Sequence, residues 1–253
     1  MCDTLKTSVQ VLGCPSCLTK KKGKPLFKFA KENHIKHVII EKGNPFCTLM
    51  PSVQPESSRD LYESKGFKVD VVEVGDDIKT PVKAMAGILG KTDRVEKLLK
   101  TYEEKMKKTE QFMARNRFAE KVVILNGVFQ ADTGKTFLRL QASGGYADQY
   151  LLKHLGSRNV GSDTMQPGKK PKKGHFTIRK LNRLTKAAPD AIIITGNAVP
   201  VQRAIAKAVK TVPGFDQIPA VQNHAVYSLP GFVNASLLEY PDILGQWAHA
   251  LAE

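Results

Sequence analysis

Apolar residues along this chain fall into short β-branched runs that alternate with stretches of helical spacing. The runs typical of strands lie at 37–41, 67–74, 121–125, 190–195 and 225–229. The stretches that predict helices lie at 25–34, 55–65, 80–89, 144–155, 177–186, 199–209 and 236–252. Strands that alternate with helices through short connections predict an α/β fold with mostly parallel sheets.

The strongest helical periodicity lies in the middle of the chain. Thr92 and Asp93 are suitable residues for a helix start, and the apolar spacing continues to about residue 118. A helix over 93–118 would be ~39 Å long, which is more than one small lobe needs. We therefore expect two Rossmann-like lobes joined by one long α-helix. The predicted parts are a smaller N-terminal lobe at 1–91, the inter-lobe helix at 92–118 and a C-terminal lobe at 119–253.

Charge is concentrated in two segments of the chain. The sequence has 39 Lys and Arg against 24 Asp and Glu, a formal net charge of +15, which first suggests nucleic acid. Most of the excess lies within 1–36 and 153–186, around the lysine runs Lys20–Lys24 and Lys169–Lys173. Both runs lack aromatic residues for stacking on bases and adjoin Gly or Pro, so they indicate solvated loops. We expect no nucleic-acid partner, and a local field that attracts an anionic ligand or anionic lipid.

All four cysteines lie near the N-terminus. Cys14 and Cys17 form a CxxC motif, which is compatible with a disulfide, a redox pair or half of a metal site. Cys47 is a candidate third thiolate, and the alternative is a local disulfide or unreactive thiols. The first residues contain no apolar signal-peptide region, and Cys2 is a candidate for lipid attachment.

Four blocks in order along the chain resemble one transport family. These are GILG at 87–90, LGSRNV at 155–160, APDAIIITG at 188–196, and the stretch from VPGF through IPAVQN to VYSLP at 212–230. Together they are similar to the motifs of class III periplasmic solute-binding proteins, the TroA- and BtuF-like superfamily with a helical backbone. The resemblance covers roughly residues 66–253.

The resemblance implies a function in transport. Proteins of that family serve ABC importers for ferric siderophores, haem, cobalamin and related metal species. It implies that this chain captures a metal chelate, an oxyanion or a related anionic ligand in the inter-lobe cleft and passes it to the importer permease. It further implies a periplasmic location or one on the outer face of the cytoplasmic membrane, a monomer, no catalysis and no required cofactor. The N-terminal lobe is shorter than in the family, so no family ligand contact is transferred there.

Candidate ligand-binding residues follow from the architecture, because open α/β sheets bind ligands beyond the carboxyl ends of their strands. In the first lobe these positions supply Asn44, Phe46 and Cys47. In the second lobe they supply Asn126, Gln130, Asn197 and Phe232.

Arg139 and Tyr146 are further candidate ligand contacts, and Tyr146 follows a Gly-rich turn. An Arg side chain is suited to bidentate contact with a carboxylate, phosphate or oxyanion. The amide groups of Gly144 and Gly145, at the start of a predicted helix, favour the same kind of ligand. The alternative is an Arg that lies on the surface against its own strand.

No motif in the sequence supports catalysis. Gly134, Lys135 and Thr136 imitate the end of a P-loop but lack its first glycine, and the six histidines are scattered. We therefore expect a binding protein. The competing hypothesis is a thiol-dependent metal or redox protein that uses Cys14, Cys17 and Cys47.

Overall fold

The computed structural model describes residues 24–42, 55–74, 77–130, 133–166, 168–172, 174–231 and 236–253. The chain divides into two units, Met1–Val95 and Glu96–Glu253, with the division at the start of the central helix. Each unit has its own sheet, and the alternation of strands and helices confirms the predicted α/β class.

The first unit contains one parallel pair of strands. Along the chain, one helix precedes the strands, one connects them and one follows them. Its elements are α1 (Lys24–Glu32), β1 (His37–Lys42), α2 (Pro55–Glu63), β2 (Lys68–Glu73) and α3 (Lys79–Leu89). The pairing of β1 with β2 runs in parallel from His37 opposite Lys68 to Lys42 opposite Glu73. Parallel strands need a crossover, and α2 supplies it.

Aromatic side chains form the core of the first unit. Tyr62 is 2% exposed and packs with Ile40 and Val69. The ring of Phe27 lies 6.2 Å from that of Tyr62 and 5.8 Å from that of Phe67, measured between centroids. These contacts hold α1 and α2 against the two strands, because aromatic residues bury a large apolar area each.

The second unit begins with the central helix and contains the larger sheet. Its helices are α4 (Val95–Met113), α5 (Tyr146–Tyr150), α6 (Leu184–Ala187), α7 (Ala198–Thr211), α8 (Pro219–Gln222) and α9 (Tyr240–Leu251). Its strands are β3 (Lys121–Gln130), β4 (Lys135–Gln141), β5 (Arg158–Asn159), β6 (His175–Ile178), β7 (Ala191–Gly196) and β8 (Val226–Ser228).

The larger sheet has a parallel centre and an antiparallel side. The strand order is β6-β4-β3-β7-β8, and β5 pairs with the start of β3. Strands β5, β3, β7 and β8 run in parallel, whereas β4 is antiparallel to both β3 and β6. Consequently β6 points the same way as β3, and their carboxyl ends lie at the same edge.

Continuous hydrophobic runs mark the parallel centre. The residues 122–125 and 192–193 are 0% exposed, so the two middle strands are covered on both faces. Such runs are typical of parallel strands between layers of helices. On one face α7 contributes Val201 and Ala208 to the core that contains Leu125 and Ile194.

Three predicted helices differ from the structure. The prediction of a helix over 177–186 is wrong, because β6 occupies His175–Ile178 and α6 is only four residues long. Phe176 lies opposite Leu140 of β4, and this pairing outweighs the local helical pattern. The predicted helix at 144–155 is interrupted at Leu151 and continues as a 3-10 turn. The predicted helix at 93–118 spans Val95–Met113, preceded by a 3-10 turn at Thr92–Arg94.

The last helix is fixed by its tryptophan. Trp247 on α9 is 0% exposed, and its Nε1 donates a hydrogen bond of 3.0 Å to the Pro230 carbonyl oxygen. This contact joins α9 to the chain that follows β8. Among the described helices none is both long and apolar enough to cross a lipid bilayer.

Candidate functional site

The carboxyl edge of the larger sheet is built where β3 and β7 separate. The two strands stay paired as far as Gly127 and Gly196. β3 then continues to Gln130, and among the described strands only β4 pairs with this extension. The two strands form a hairpin that projects beyond the parallel strands. In open α/β sheets this edge is where ligands bind.

A row of polar side chains crosses the sheet at this edge. Asn126 lies opposite Thr195 on one side and opposite Arg139 on the other, and Arg139 lies opposite Thr177. Directly opposite residues of a sheet share one face, so the four side chains form a line across β7, β3, β4 and β6. The Asn126 Nδ2 donates a hydrogen bond of 3.0 Å to the Thr195 hydroxyl. We refer to Thr195, Asn126, Arg139 and Thr177 as the polar row.

The polar row lies where the buried face of the sheet opens to solvent. One pair earlier along the strands, Ile124 and Ile193 are 0% exposed. Asn126 is then half-buried and Arg139 is exposed. One pair farther on, Val128 lies opposite Phe137, and both are half-buried. The face therefore offers hydrogen-bonding groups and a positive charge next to an apolar pair.

The charge at this edge is positive. Within the described ranges, no carboxylate oxygen lies within 4.0 Å of the Arg139 guanidinium. Arg179 and Lys180 follow directly after β6, whose end lies level with Gly127, and both are exposed. Free guanidinium and ammonium groups on one edge favour an anionic partner.

The chain that runs from β7 into α7 passes so close to β3 that there is no room for side chains between them. The Asn197 amide donates a hydrogen bond of 2.8 Å to the Gly127 carbonyl oxygen. A Cβ on Gly127 would overlap the Asn197 carbonyl oxygen. Gly196 has φ of +72°, a conformation that favours glycine, and a Cβ there would lie 2.6 Å from the Gly127 oxygen.

Asn197 was predicted as a ligand contact, and the structure gives its side chain a local role. Its Oδ1 accepts a hydrogen bond of 3.1 Å from the Val199 amide and so caps the N-terminus of α7. The cap fixes the start of α7 directly after β7, at the same edge as the polar row. Because α7 packs against Leu125 and Ile194, it covers the opposite face of the sheet.

Gln130 and Tyr146 lie away from the polar row. Gln130 is at the hairpin tip, where it accepts a hydrogen bond of 3.0 Å from Thr133, and four residues of strand place it ~13 Å beyond Asn126. Tyr146 is 7% exposed and its ring centroid lies 4.9 Å from that of Tyr150. Burial raises the pKa of the Tyr146 hydroxyl. Neither residue adds to the line formed by Asn126 and Arg139.

The Gly-rich turn is closed by its own chain. The Gly144 amide, expected to face an anion, donates to the Asp148 carboxylate instead. Ser162 Oγ accepts a hydrogen bond of 2.9 Å from the Ser143 amide, and Ser143 Oγ donates one of 2.7 Å to the Asn159 carbonyl oxygen. The expectation that the Gly144 amide binds an anionic ligand is therefore corrected.

Several predicted residues lie outside the described ranges. They are the proposed first-lobe ligand contacts, the thiol candidates and one position after β8, namely Asn44, Phe46, Cys47, Cys14, Cys17 and Phe232. In the part of the chain that the structure describes, no three His, Cys, Asp or Glu side chains are grouped as a metal site would require. The thiol hypothesis stays a prediction.

Four residues of the site were not predicted from the sequence, namely Thr177, Thr195, Val128 and Phe137. Thr177 was assigned to a helix, and β4, which carries Phe137, was not predicted as a strand. The alternation of polar and apolar residues in KTFLRL at 135–140 is the signal for β4. Once β4 is placed, its register with β3 brings Phe137 opposite Val128. The register of β3 with β7 brings Thr195 opposite Asn126.

Comparison with known proteins assigns the chain to a family. The model of a family described as periplasmic binding protein matches residues 54–231, more than two-thirds of the chain. No curated protein sequence matches the chain.

Solved structures show the same fold at low sequence identity. One is described as a possible iron-binding, periplasmic solute-binding protein from Staphylococcus epidermidis, with 13% identity, a TM-score of 0.53, and coverage of 88% of this chain and 78% of that one. An ABC transporter substrate-binding protein from Listeria monocytogenes has 17% identity and a TM-score of 0.53, with coverage of 96% and 88%. A periplasmic heme binding protein from Pseudomonas aeruginosa has 18% identity and a TM-score of 0.55, with coverage of 88% and 74%.

Proposed function

Because the chain belongs to the periplasmic binding protein family, we propose that it captures a metal chelate or related anionic ligand for an ABC importer, with the polar row as its contact surface. The observation that carries this proposal is the exposed Arg139 guanidinium beside the half-buried Asn126 amide. It acts outside the cytoplasm, passes its ligand to the importer permease, works as a monomer and needs no resident cofactor.

The polar row supports an anionic ligand. Arg139 presents a planar fork of donors that fits a carboxylate or phosphate through two hydrogen bonds. Asn126 adds an amide on the adjacent strand, and its Nδ2 is oriented by Thr195. Arg179 and Lys180 at the end of β6 raise the local positive potential.

The apolar pair beside the row supports a ligand with an apolar body. Val128 and Phe137 form the next pair on the same face after Asn126 and Arg139. Phe129 is 55% exposed on the other face of the hairpin. A chelate that combines carboxylates with an apolar ring meets both kinds of surface. Haem is such a molecule, and the Pseudomonas aeruginosa protein of similar fold is described as heme binding.

Titration of the purified protein with haem, ferric citrate, a ferric hydroxamate, a ferric catecholate, cobalamin and molybdate tests the proposal. We expect saturable binding of one of these ligands, followed by calorimetry. Arg139→Ala should weaken that binding roughly 10-fold to 100-fold, because a hydrogen bond to a charged group is worth about 1.5–3 kcal/mol. Arg139→Lys keeps the charge without the fork and should give an intermediate loss.

Arg203→Ala is the matched control. Arg203 is exposed on α7, so its removal changes the net charge equally without touching the polar row. Its affinity should equal that of the unmodified protein. Absence of saturable binding for every ligand, or equal affinities for Arg139→Ala and Arg203→Ala, would contradict the proposal.

A further inference from the structure

Exposed cations surround the edge strand of the larger sheet. Three lysines precede β6, two cations follow it directly, and two more lie in and before α6. These residues are Lys169, Lys170, Lys172, Arg179, Lys180, Arg183 and Lys186, and all are exposed. We refer to them as the basic face.

No acidic side chain in this segment offsets the basic face. The sequence has no Asp or Glu between Asp163 and Asp190. Asp163 is engaged by Arg158, whose Nη1 lies 2.7 Å from its Oδ2. The Asp190 Oδ2 accepts a hydrogen bond of 2.8 Å from the Lys121 amide. Both flanking carboxylates are thus held by other parts of the unit.

Backbone hydrogen bonds anchor the part of the basic face that precedes β6. Lys172 and His175 exchange backbone hydrogen bonds of 2.8 and 3.2 Å across a tight turn. The Gly174 carbonyl oxygen accepts a hydrogen bond of 2.9 Å from the Ala142 amide, which ties the turn to the end of β4. Four residues of strand separate the two groups of cations by ~13 Å, so positive charge lies at both ends of β6.

The composition of the basic face favours a diffuse anionic surface. Phe176 is the only Phe, Tyr or Trp between residues 169 and 186, and it is buried, so no exposed aromatic ring of this segment is available to stack on bases. Leu181 and Leu184 are buried as well, and Ile178 is half-buried. At four residues, α6 is too short to serve as a recognition helix. Five of the seven cations are Lys, which act as hydrated point charges and suit an anionic surface better than a specific bidentate contact.

We propose that the basic face binds the protein to the anionic headgroups of a phospholipid bilayer. Basic side chains are attracted to anionic membrane surfaces, and the attraction grows with the number of Lys and Arg residues near the surface. Because the large apolar side chains Phe176, Leu181 and Leu184 are buried, none of them enters the bilayer and the contact is peripheral and reversible. It concentrates the protein at the membrane, where a permease lies, and it does not depend on the identity of the ligand.

Co-sedimentation with vesicles tests this binding. We expect the full chain to sediment with vesicles of phosphatidylcholine and phosphatidylglycerol at ~0.1 M salt and to be released at ~1 M, where the screening length falls from ~10 Å to ~3 Å. It should not sediment with phosphatidylcholine alone. The triple variant Lys169→Glu, Lys170→Glu and Lys172→Glu should lower the partition coefficient at least ~30-fold.

A second triple variant controls for total charge. Lys97→Glu, Lys100→Glu and Lys107→Glu on α4 makes the same change in net charge at exposed positions of a helix that also carries several glutamates. It should retain most of the binding. Circular dichroism confirms that both variants are folded.

The remaining outcomes are decisive. Equal losses for the two triple variants, undiminished binding by the basic-face variant, or equal sedimentation with neutral vesicles would overturn the proposal. So would tighter binding to duplex DNA than to the vesicles at equal phosphate concentration. Ligand titration of the same basic-face variant separates the two proposals, since its affinity should be unchanged if only membrane binding is lost.

Discussion

Gly127 lies at the closest backbone approach of the candidate site. The residue is placed on β3 between Asn126 and Val128, and the chain that leaves β7 passes directly over it. Its carbonyl oxygen accepts the hydrogen bond of the Asn197 amide. The absence of a side chain at Gly127 is therefore what lets α7 begin at this edge, on the face of the sheet opposite to the polar row.

Gly127→Ala should destabilise the second unit by at least ~2 kcal/mol, because the added Cβ overlaps backbone that cannot move without breaking the sheet. Trp247 is the only tryptophan of the chain and is buried in this unit, so its fluorescence during urea unfolding measures the effect. Gly231→Ala is the control, since a Cβ there meets nothing within 4 Å. Equal unfolding midpoints for the two variants would show that the close approach has no energetic weight.

At the residue scale, the sequence predicts which side chains carry charge but not which side chains meet. Arg139 and Asn126 were both selected from the sequence, the first for its chemistry and the second for its place after a strand. Their pairing depends on the register of β3 with β4, which is a tertiary property. Asn197 was selected by the same rule, and only the structure shows that its Oδ1 caps a helix.

Asn197 stabilises the start of helix α7, which follows β7 at the carboxyl edge of the sheet. The cap bond from the Val199 amide satisfies one of the free donors at the start of the helix. Asn197→Ala should lower the free energy of unfolding by about 1 kcal/mol, whereas Asn197→Asp should cost little, because Asp is an equally good cap. Urea unfolding followed by Trp247 fluorescence measures both variants.

Ligand affinity of a neutral capping variant separates capping from direct contact. Ser is also a good cap and adds no charge that would repel an anionic ligand. If Asn197 acts through the cap, Asn197→Ser binds the ligand as the unmodified protein does. A loss of affinity in Asn197→Ser at unchanged stability would instead place the Asn197 side chain in contact with the ligand.

At the element scale, the strands with long continuous apolar runs are the ones that could be predicted from the sequence. The runs in β3 and β7 are fully buried and were correctly predicted, because burial on both faces requires continuous apolar sequence. β4 has one exposed face and β6 has only four residues, so the stability of both strands comes from pairing with a neighbour. Local propensity is weak in that situation, which explains the wrong helix over residues 177–186.

The two units respond differently to acid through two aspartates. In the first unit, the His37 Nε2 lies 2.5 Å from the Asp70 Oδ2, and this hydrogen bond lowers the pKa of Asp70. In the second unit, burial raises the pKa of Asp148, against the opposing effect of the Gly144 amide. One carboxylate is therefore stabilised in its charged form by folding, and the other is destabilised.

The sign of each effect fixes its pH range. The contribution of Asp70 is present above the unfolded pKa of about 3.9 and is lost as the pH falls below that value. The contribution of Asp148 is greatest below about 3.9 and is lost as the pH rises through its raised pKa. Asp70→Asn should therefore cost the first unit stability at pH ~7 and less at pH ~3. Asp148→Asn should gain stability relative to the unmodified protein between pH ~4 and ~7.

Hydrogen–deuterium exchange reports on the two units separately, because each peptide belongs to one unit. Each variant is compared with the unmodified chain at the same pH. Peptides from β1 and β2 should report only the Asp70→Asn change, and peptides from β3 and β7 only the Asp148→Asn change. This separation is expected because each aspartate and its hydrogen-bond partner lie within one unit. A change in the exchange of β3 and β7 peptides caused by Asp70→Asn would mean that the units unfold together. An effect of Asp148→Asn on stability that does not vary with pH would mean that the Asp148 carboxyl group has the same pKa in the folded and unfolded chain.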